Sequence, residues 1–122
     1  MVLRILVVED DQTQNFMLNA VLKKRGYKVM TSFNGIEAIE TLNHEKIDLV
    51  ISDIDMEKMD GLQLKAEMNK NINWEKIPFI FLTSRSSSST KNKASELGAN
   101  LYLQKPCTIN IIDEIEKIII IP

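Results

Sequence analysis

Four apolar segments of this 122-residue chain are each followed by side chains that can bind metal ions or phosphate. These side chains are Glu9 and Asp10, Asp53, Thr83, and Lys105. Three clustered carboxylates repel one another by roughly 4 kcal/mol per close pair at an effective dielectric near 20, so such a cluster needs a cation. Carboxylate oxygens are hard ligands that suit Mg²⁺, which keeps part of its water shell. The spacing therefore predicts a divalent-cation site.

The same residue types suit phosphoryl transfer. A metal ion on Glu9 and Asp10 would draw a phosphoryl oxygen towards Asp53, whose carboxylate is then placed to form an acyl phosphate. Thr83 can donate a hydrogen bond and Lys105 a positive charge to the remaining phosphoryl oxygens. Positioning and charge neutralisation are what this chemistry asks of a protein.

The elements that must position these side chains form a repeating pattern. Apolar runs predict strands at 3–8, 27–33, 49–52, 78–82 and 100–103, and helical spacing or flanking stop signals predict helices at 13–25, 36–43, 62–71, 87–97 and from 108. Five consecutive strand–helix units predict an α/β fold, a doubly wound parallel sheet with helices on both faces. All strand carboxyl ends then lie at one edge, so the candidate residues converge there.

The helices differ in their apolar content. The first carries apolar residues at helical spacing, namely Phe16, Met17, Ala20, Val21 and Leu22, and the second is expected to bury Ile36, Ala38, Ile39 and Leu42. Helix 87–97 has little beyond Ala94 and Leu97 and begins in a serine tract, which is a poor helix interior. Few apolar anchors predict a mobile element.

Composition excludes several classes of protein. A formal charge of −2 and a sequence pI near 5.4 show no excess of positive charge of the kind that direct nucleic-acid binding requires. No apolar run approaches the ~20 residues of a membrane span. One cysteine and one histidine argue against a zinc site built on those ligands. We therefore expect residues 1–122 to be a single soluble domain in the cytoplasm, with Cys107 as a small buried hydrophobe rather than a redox sensor.

The chain resembles a response-regulator receiver domain from end to end. The matching segments are Val7-Val8-Glu9-Asp10-Asp11, Asp53-Ile54-Asp55-Met56 with Met59-Asp60-Gly61, Leu82-Thr83-Ser84, and Gly98-Ala99 with Tyr102-Leu103-Gln104-Lys105-Pro106. The intervals between the segments match too. The resemblance implies a flavodoxin-like sheet of five strands in the order 2-1-3-4-5 with five helices.

The resemblance also implies roles for individual residues. Asp53 would accept a phosphoryl group from the phosphohistidine of a histidine kinase or a histidine phosphotransfer domain. Glu9, Asp10, Asp53 and the backbone carbonyl of Asp55 would hold Mg²⁺, or Mn²⁺ in its place.

Four further positions receive roles in the same way. Thr83 and Tyr102 would form a switch pair, Lys105 would contact the phosphoryl group, and the Lys105–Pro106 bond would be cis. The domain would assist its own phosphorylation and dephosphorylation without being an enzyme, and it would act on an output protein or domain through helix 4, strand 5 and helix 5.

The sequence departs from the family pattern at several positions. Glu57 stands where proline is usual, which makes the loop after Asp53 more acidic and less rigid. Asp55 places another carboxylate two residues beyond the acceptor, a position that tunes the lifetime of the phosphorylated state. Leu101 and Ile115 stand where receivers that precede winged-helix DNA-binding domains often have an acid and an arginine, which weakens the expectation of that dimer and output.

Two other classes of protein fit parts of the sequence. Asp53-Ile54-Asp55 also matches the Asp-x-Asp of haloacid-dehalogenase-like phosphatases, in which both aspartates would act in catalysis. That motif usually ends the first strand of a longer domain. A flavodoxin-like electron carrier would need a phosphate-binding loop after the first strand, where Glu9, Asp10 and Asp11 would repel the flavin phosphate.

Overall fold

A computed structural model describes residues 2–105 and 109–120 of the chain. Five strands alternate with five helices along it, as the sequence pattern predicts. The elements are β1 (Arg4–Val8), α1 (Gln12–Lys24), β2 (Lys28–Ser32), α2 (Gly35–His44), β3 (Leu49–Ser52), α3 (Gly61–Asn69), β4 (Phe79–Thr83), α4 (Ser88–Glu96), β5 (Leu101–Gln104) and α5 (Ile109–Ile120).

The strands form one parallel sheet in the order β2-β1-β3-β4-β5. This confirms the predicted doubly wound α/β fold, including its strand order. In the register, Val8 lies opposite both Ser32 and Ser52, and Ser52 lies opposite Phe81. The residues that follow these positions therefore leave the sheet at the same edge.

Two apolar layers cover the sheet. Successive strand residues point to opposite faces, so Leu6 and Val8 pack with α2, α3 and α4, whereas Ile5 and Val7 pack with α1 and α5. All four of these side chains are fully buried. Central strands that are covered on both faces explain the continuous apolar runs in the sequence.

The first helix turns only part of its apolar residues towards the sheet. In α1 the buried residues are Asn15, Leu18 and Leu22. The side chains of Phe16 and Met17 are 73% and 60% exposed, and Ala20 and Val21 are also exposed. Of the five apolar residues at helical spacing only Leu22 is buried, because apolar content alone does not fix which helix face meets the sheet.

In α2 the expected buried stripe is partly wrong. Ala38 and Leu42 are buried and Ile39 is half-buried, but Ile36 is 50% exposed. Ile36 lies in the first turn of the helix, beside the edge of the sheet where the candidate site residues emerge.

Across residues 2–105 and 109–120, no helix has both the length and the apolar character that a membrane crossing requires.

Candidate functional site

Backbone hydrogen bonds beyond the strand ends bring the predicted site residues to one edge of the sheet. The N–H of Glu9 donates to the carbonyl of Ser32 at 3.0 Å, and that of Asp53 donates to the carbonyl of Val8 at 3.0 Å. The N–H of Lys105 donates to the carbonyl of Thr83 at 2.9 Å. Each functional side chain thus follows directly from a hydrogen-bonded strand and is held where that strand ends.

Three carboxylates meet at this edge. Glu9, Asp10 and Asp53 each offer one oxygen, and these oxygens lie within 4.8 Å of one another. Glu9 and Asp53 are 6% and 8% exposed, whereas Asp10 is exposed. Carboxylate oxygens at this spacing, open to solvent on the Asp10 side, fit a hard divalent cation that retains some of its water.

Lys105 supplies positive charge inside the acidic cluster. Its Nζ donates to Oδ2 of Asp53 at 3.1 Å and also to Oε1 of Glu9. Burial alone would lower the pKa of Lys105, but the hydrogen bond that Lys105 donates to Glu9 and the charges of both acids outweigh burial and raise that pKa. Burial, together with the nearby Asp53 charge, raises the pKa of Glu9 despite the opposing effect of Lys105.

One carboxylate oxygen of Asp53 is hydrogen-bonded to the backbone, and the other faces Lys105. Its Oδ1 accepts a 2.7 Å hydrogen bond from the N–H of Ile54, and its backbone carbonyl accepts one from Ser52 Oγ at 2.7 Å. Gly61 packs directly on this carbonyl, because a Cβ on Gly61 would lie 2.1 Å from the Asp53 oxygen. Asp53 is therefore held by its two neighbours along the chain and by the start of α3.

Asp55 takes part in an ion pair for which the sequence gives no local signal. Its carboxylate is bound by the guanidinium of Arg85, with Nη2 at 2.5 Å from Oδ1 and Nε at 2.9 Å from Oδ2. The hydrogen bond and charge of Asp55 raise the pKa of Arg85. Both side chains are about half exposed. The pair links the loop after β3 to the loop after β4 at the rim of the acidic cluster.

The backbone of Arg85 also connects the two predicted switch residues. Thr83 is fully buried, and its Oγ1 accepts a 3.3 Å hydrogen bond from the N–H of Arg85. The hydroxyl of half-buried Tyr102 donates to the carbonyl of Arg85 at 2.7 Å. The ring of Tyr102 lies 6.3 Å from that of Phe81, in the neighbouring strand. Thr83 and Tyr102 are thus joined through one residue.

Other expected positions fall in different surroundings. Pro106 and Cys107 lie outside the described residues, so the cis peptide bond and the role of the cysteine stay predictions. Ile115 is fully buried in the layer formed by α1 and α5, which makes it a core residue. Glu57 is exposed in the loop after β3, and Leu101 is half-buried in β5.

Sequence reasoning missed a buried lysine near α4. Lys65 in α3 is only 2% exposed, and its Nζ donates to Asn69 Oδ1 at 2.7 Å and lies 5.8 Å from the centre of the Phe79 ring. Asn69 in turn donates to the carbonyl of Leu97 at the end of α4 at 2.9 Å. Burial lowers the pKa of Lys65. A lysine in a helix is normally expected to face solvent, so the sequence alone does not reveal the contact between Lys65 and Asn69.

Comparisons with a protein family, with known sequences and with solved structures agree with one another. Residues 5–117 match the family described as the response regulator receiver domain. The probable chemotaxis protein CheY of Rhizobium etli is 35% identical over 108 residues, which cover 88% of this chain and 84% of that protein. A solved signal receiver domain of a signal transduction histidine kinase from Syntrophus aciditrophicus is similar with a TM-score of 0.85 and 34% identity, covering 93% of this chain and 86% of that one.

One relative is a much longer protein. The transcriptional regulatory protein GlrR of Escherichia coli K12 is 40% identical over 102 residues, which are 84% of this chain. The chain spans only 22% of the length of that regulator. The matched region of the family, residues 5–117, includes all the strand-end side chains that meet at the acidic cluster.

Proposed function

The chain belongs to the response regulator receiver family, a regulatory domain of two-component systems, and we propose that it accepts a phosphoryl group on Asp53. The donor is the phosphohistidine of a histidine kinase or of a histidine phosphotransfer domain, and residues 1–122 act as one receiver unit. The observation that carries this proposal is the placement of the Asp53 carboxylate between Lys105 and two further acids at the end of a buried strand.

The transfer step follows from the contacts of Asp53. Its Oδ1 is taken by the N–H of Ile54, which leaves Oδ2, now paired with Lys105, to form the new bond to phosphorus. The bond from phosphorus to the donor histidine nitrogen breaks, and the imidazole keeps the electron pair and takes up a proton. Lys105 then neutralises a phosphoryl oxygen, as phosphoryl transfer requires.

The acidic cluster fits a divalent cation for this step. Mg²⁺, or Mn²⁺, held by Glu9, Asp10, Asp53 and the backbone carbonyl of Asp55 would offset the charge of the carboxylates and of the phosphoryl oxygens. The same side chains would support hydrolysis of the acyl phosphate by water, so the domain assists both its own phosphorylation and its dephosphorylation.

The output signal leaves through α4, β5 and α5. Phosphorylation draws the Thr83 hydroxyl towards the phosphoryl group, which removes the partner of the Arg85 N–H. Because Tyr102 is bonded to the carbonyl of the same residue, its position changes with that of Arg85. The buried residues of α4 are only Thr90 and Ala94, so this helix shifts at low cost and alters the surface offered to an output protein or domain.

The phosphodonor docks beside α1. Phe16, Met17 and Val21 expose apolar surface on this helix, and Met17 and Val21 line the same concavity as Glu9 and Lys105. Exposed apolar residues that border a reactive site are typical of a protein-binding surface. A partner helix that covers them would bring its phosphohistidine close to Asp53.

The phosphatase alternative is not favoured. The family match is to receiver domains, and the carboxylate of Asp55, which would act as a second catalytic acid in a phosphatase, is bound by Arg85. The acyl phosphate on Asp53 is accordingly an intermediate of signalling and not of substrate turnover.

A small phosphodonor tests the proposal without knowledge of the kinase. Acetyl phosphate with Mg²⁺ should add one phosphoryl group to the wild-type protein, as measured by intact mass, and none to Asp53→Asn. Asp48→Asn, a substitution in the connection before β3, is the matched control and should be labelled like the wild type. Equal labelling of the wild type and Asp53→Asn would refute the assignment.

A further inference from the structure

A buried asparagine in the first helix contacts the backbone of the segment that carries the acidic cluster. Asn15 of α1 is 2% exposed, although its neighbours Gln14 and Phe16 are exposed. Its side-chain amide donates to the backbone carbonyl of Glu9 at 2.9 Å and to that of Ser32 at 3.1 Å. Both partners are acceptors, so the amide nitrogen must face them. A polar side chain buried at the expense of an apolar one needs a specific reason.

These hydrogen bonds complete the end of the sheet. The Glu9 N–H makes the last contact between β1 and β2, by donating to Ser32. The carbonyl of Glu9 lies beyond that ladder and receives its hydrogen bond from Asn15. Without Asn15 this carbonyl would have to find another partner at a largely buried position, and an unsatisfied buried carbonyl is destabilising.

The start of α1 fixes the other side of Asp10. The backbone N–H of Asn15 donates to the carbonyl of Asp11 at 2.9 Å, and Asp11 caps α1 by accepting from the N–H of Gln14 at 2.9 Å. The side chain of Asn15 therefore holds the residue before Asp10, and the backbone hydrogen bond of α1, which is made whichever residue stands at position 15, holds the residue after it. The Asp10 side chain is exposed, so its direction depends on the backbone on either side of it.

We propose that Asn15 is a positioning residue for the metal-binding segment 9–11, a role that rests on the function proposed above. It orients the carboxylates of Glu9 and Asp10 through their backbone, and it couples the start of α1 to the end of β2. Side chains that orient metal ligands from outside typically change metal affinity by 10- to 100-fold when they are removed.

The test compares Asn15→Ala with Asn19→Ala, a control substitution one turn further along α1 at a half-buried position. Calorimetric titration with Mg²⁺ alone, well below the melting temperature, should give a dissociation constant raised roughly 10-fold in Asn15→Ala and unchanged in Asn19→Ala. Labelling by acetyl phosphate should recover in Asn15→Ala when Mg²⁺ is raised to saturation. A purely structural role would lower the melting temperature and leave the Mg²⁺ dissociation constant unchanged, which would overturn the proposal.

A second measurement uses the wild-type protein and does not depend on the folding of a variant. The side-chain amide signals of Asn15 in nuclear magnetic resonance spectra should shift on addition of Mg²⁺, while those of Asn19 stay in place. Asn15 side-chain signals whose chemical shifts do not change on addition of Mg²⁺ would refute the positioning role. Wild-type protein that neither binds Mg²⁺ nor becomes phosphorylated would instead refute the function proposed for Asp53.

Discussion

Replacement of Gly61 by alanine tests whether the start of α3 positions Asp53, the proposed phosphoacceptor. The added Cβ would lie 2.1 Å from the carbonyl oxygen of Asp53 and 3.0 Å from both its carbonyl carbon and the Cα of Ile54. Carbon atoms in ordinary contact are about 3.5–4.0 Å apart, so the backbone must separate by roughly 1 Å or more. All three contacting atoms belong to the backbone, which cannot rotate away as a flexible side chain can.

The clash has two consequences of calculable size. Overpacking a well-packed site typically costs about 1–3 kcal/mol, and a contact with rigid backbone belongs at the upper end of that range. A loss of about 3 kcal/mol lowers the melting temperature of a domain of this size by roughly 10 °C. A displacement of about 1 Å at a reacting group can reduce the rate by about 100-fold.

Gly26→Ala is the matched control for this substitution. Gly26 adopts a φ of +95° with no atom within 4 Å of an added Cβ, so alanine there costs only the backbone strain of about 1–2 kcal/mol. Phosphorylation by acetyl phosphate, measured per folded molecule at a temperature where both variants are folded, should fall in Gly61→Ala and stay near wild type in Gly26→Ala. A Gly61→Ala protein that is labelled at the wild-type rate would show that close packing on the Asp53 carbonyl does not position the acceptor.

Three further predictions concern charge and stability. Mg²⁺ at ten times its dissociation constant should stabilise the fold by about 1.4 kcal/mol in thermal unfolding, and Asp10→Ala should lose both this response and labelling; a melting temperature that Mg²⁺ leaves unchanged would count against the site. Lys65→Met should be neutral or stabilising at pH 7 in urea unfolding, because burial disfavours the charged form of Lys65 and lowers its pKa in the folded state. The wild type regains stability relative to this variant as pH rises towards the ordinary lysine value of 10.5, since the folded state releases the proton first; a pH-independent difference would contradict this. Burial and the 2.8 Å hydrogen bond to Glu116 raise the pKa of Tyr27 to about 12, so Tyr27→Phe should be less stable than the wild type below pH 10. That deficit should disappear between pH 10 and 12 in urea unfolding, because the folded state holds the phenol proton more tightly over that range; a deficit that persists to pH 12 would oppose this account.

The sequence predicts the sheet and the meeting of the acidic residues because both follow from local patterns. Apolar runs of four to six residues define the central strands, and a parallel sheet places every strand end at one edge. Glu9, Asp53 and Lys105 each stand directly or almost directly after such a run, so the sequence alone predicts that their side chains meet.

Contacts that depend on packing between distant elements could not be predicted in this way. Arg85 and Asp55 are 30 residues apart and belong to two loops, and neither loop has a periodic pattern. Asn15 and Lys65 are polar residues at buried helix positions, where an apolar pattern would place none. Their partners are supplied by the folded chain, so only the structure identifies them.

The most direct test of the central claim is chemical trapping of the phosphorylated residue. The protein is incubated with acetyl phosphate and Mg²⁺, treated with borohydride, and digested, because borohydride reduces an acyl phosphate of aspartate to homoserine. Mass spectrometry of the peptides should find homoserine at position 53 only, and none when Mg²⁺ is removed by a chelator. Homoserine at Asp10 or Asp55, or a phosphoryl group that survives borohydride on a hydroxyl side chain, would contradict the account.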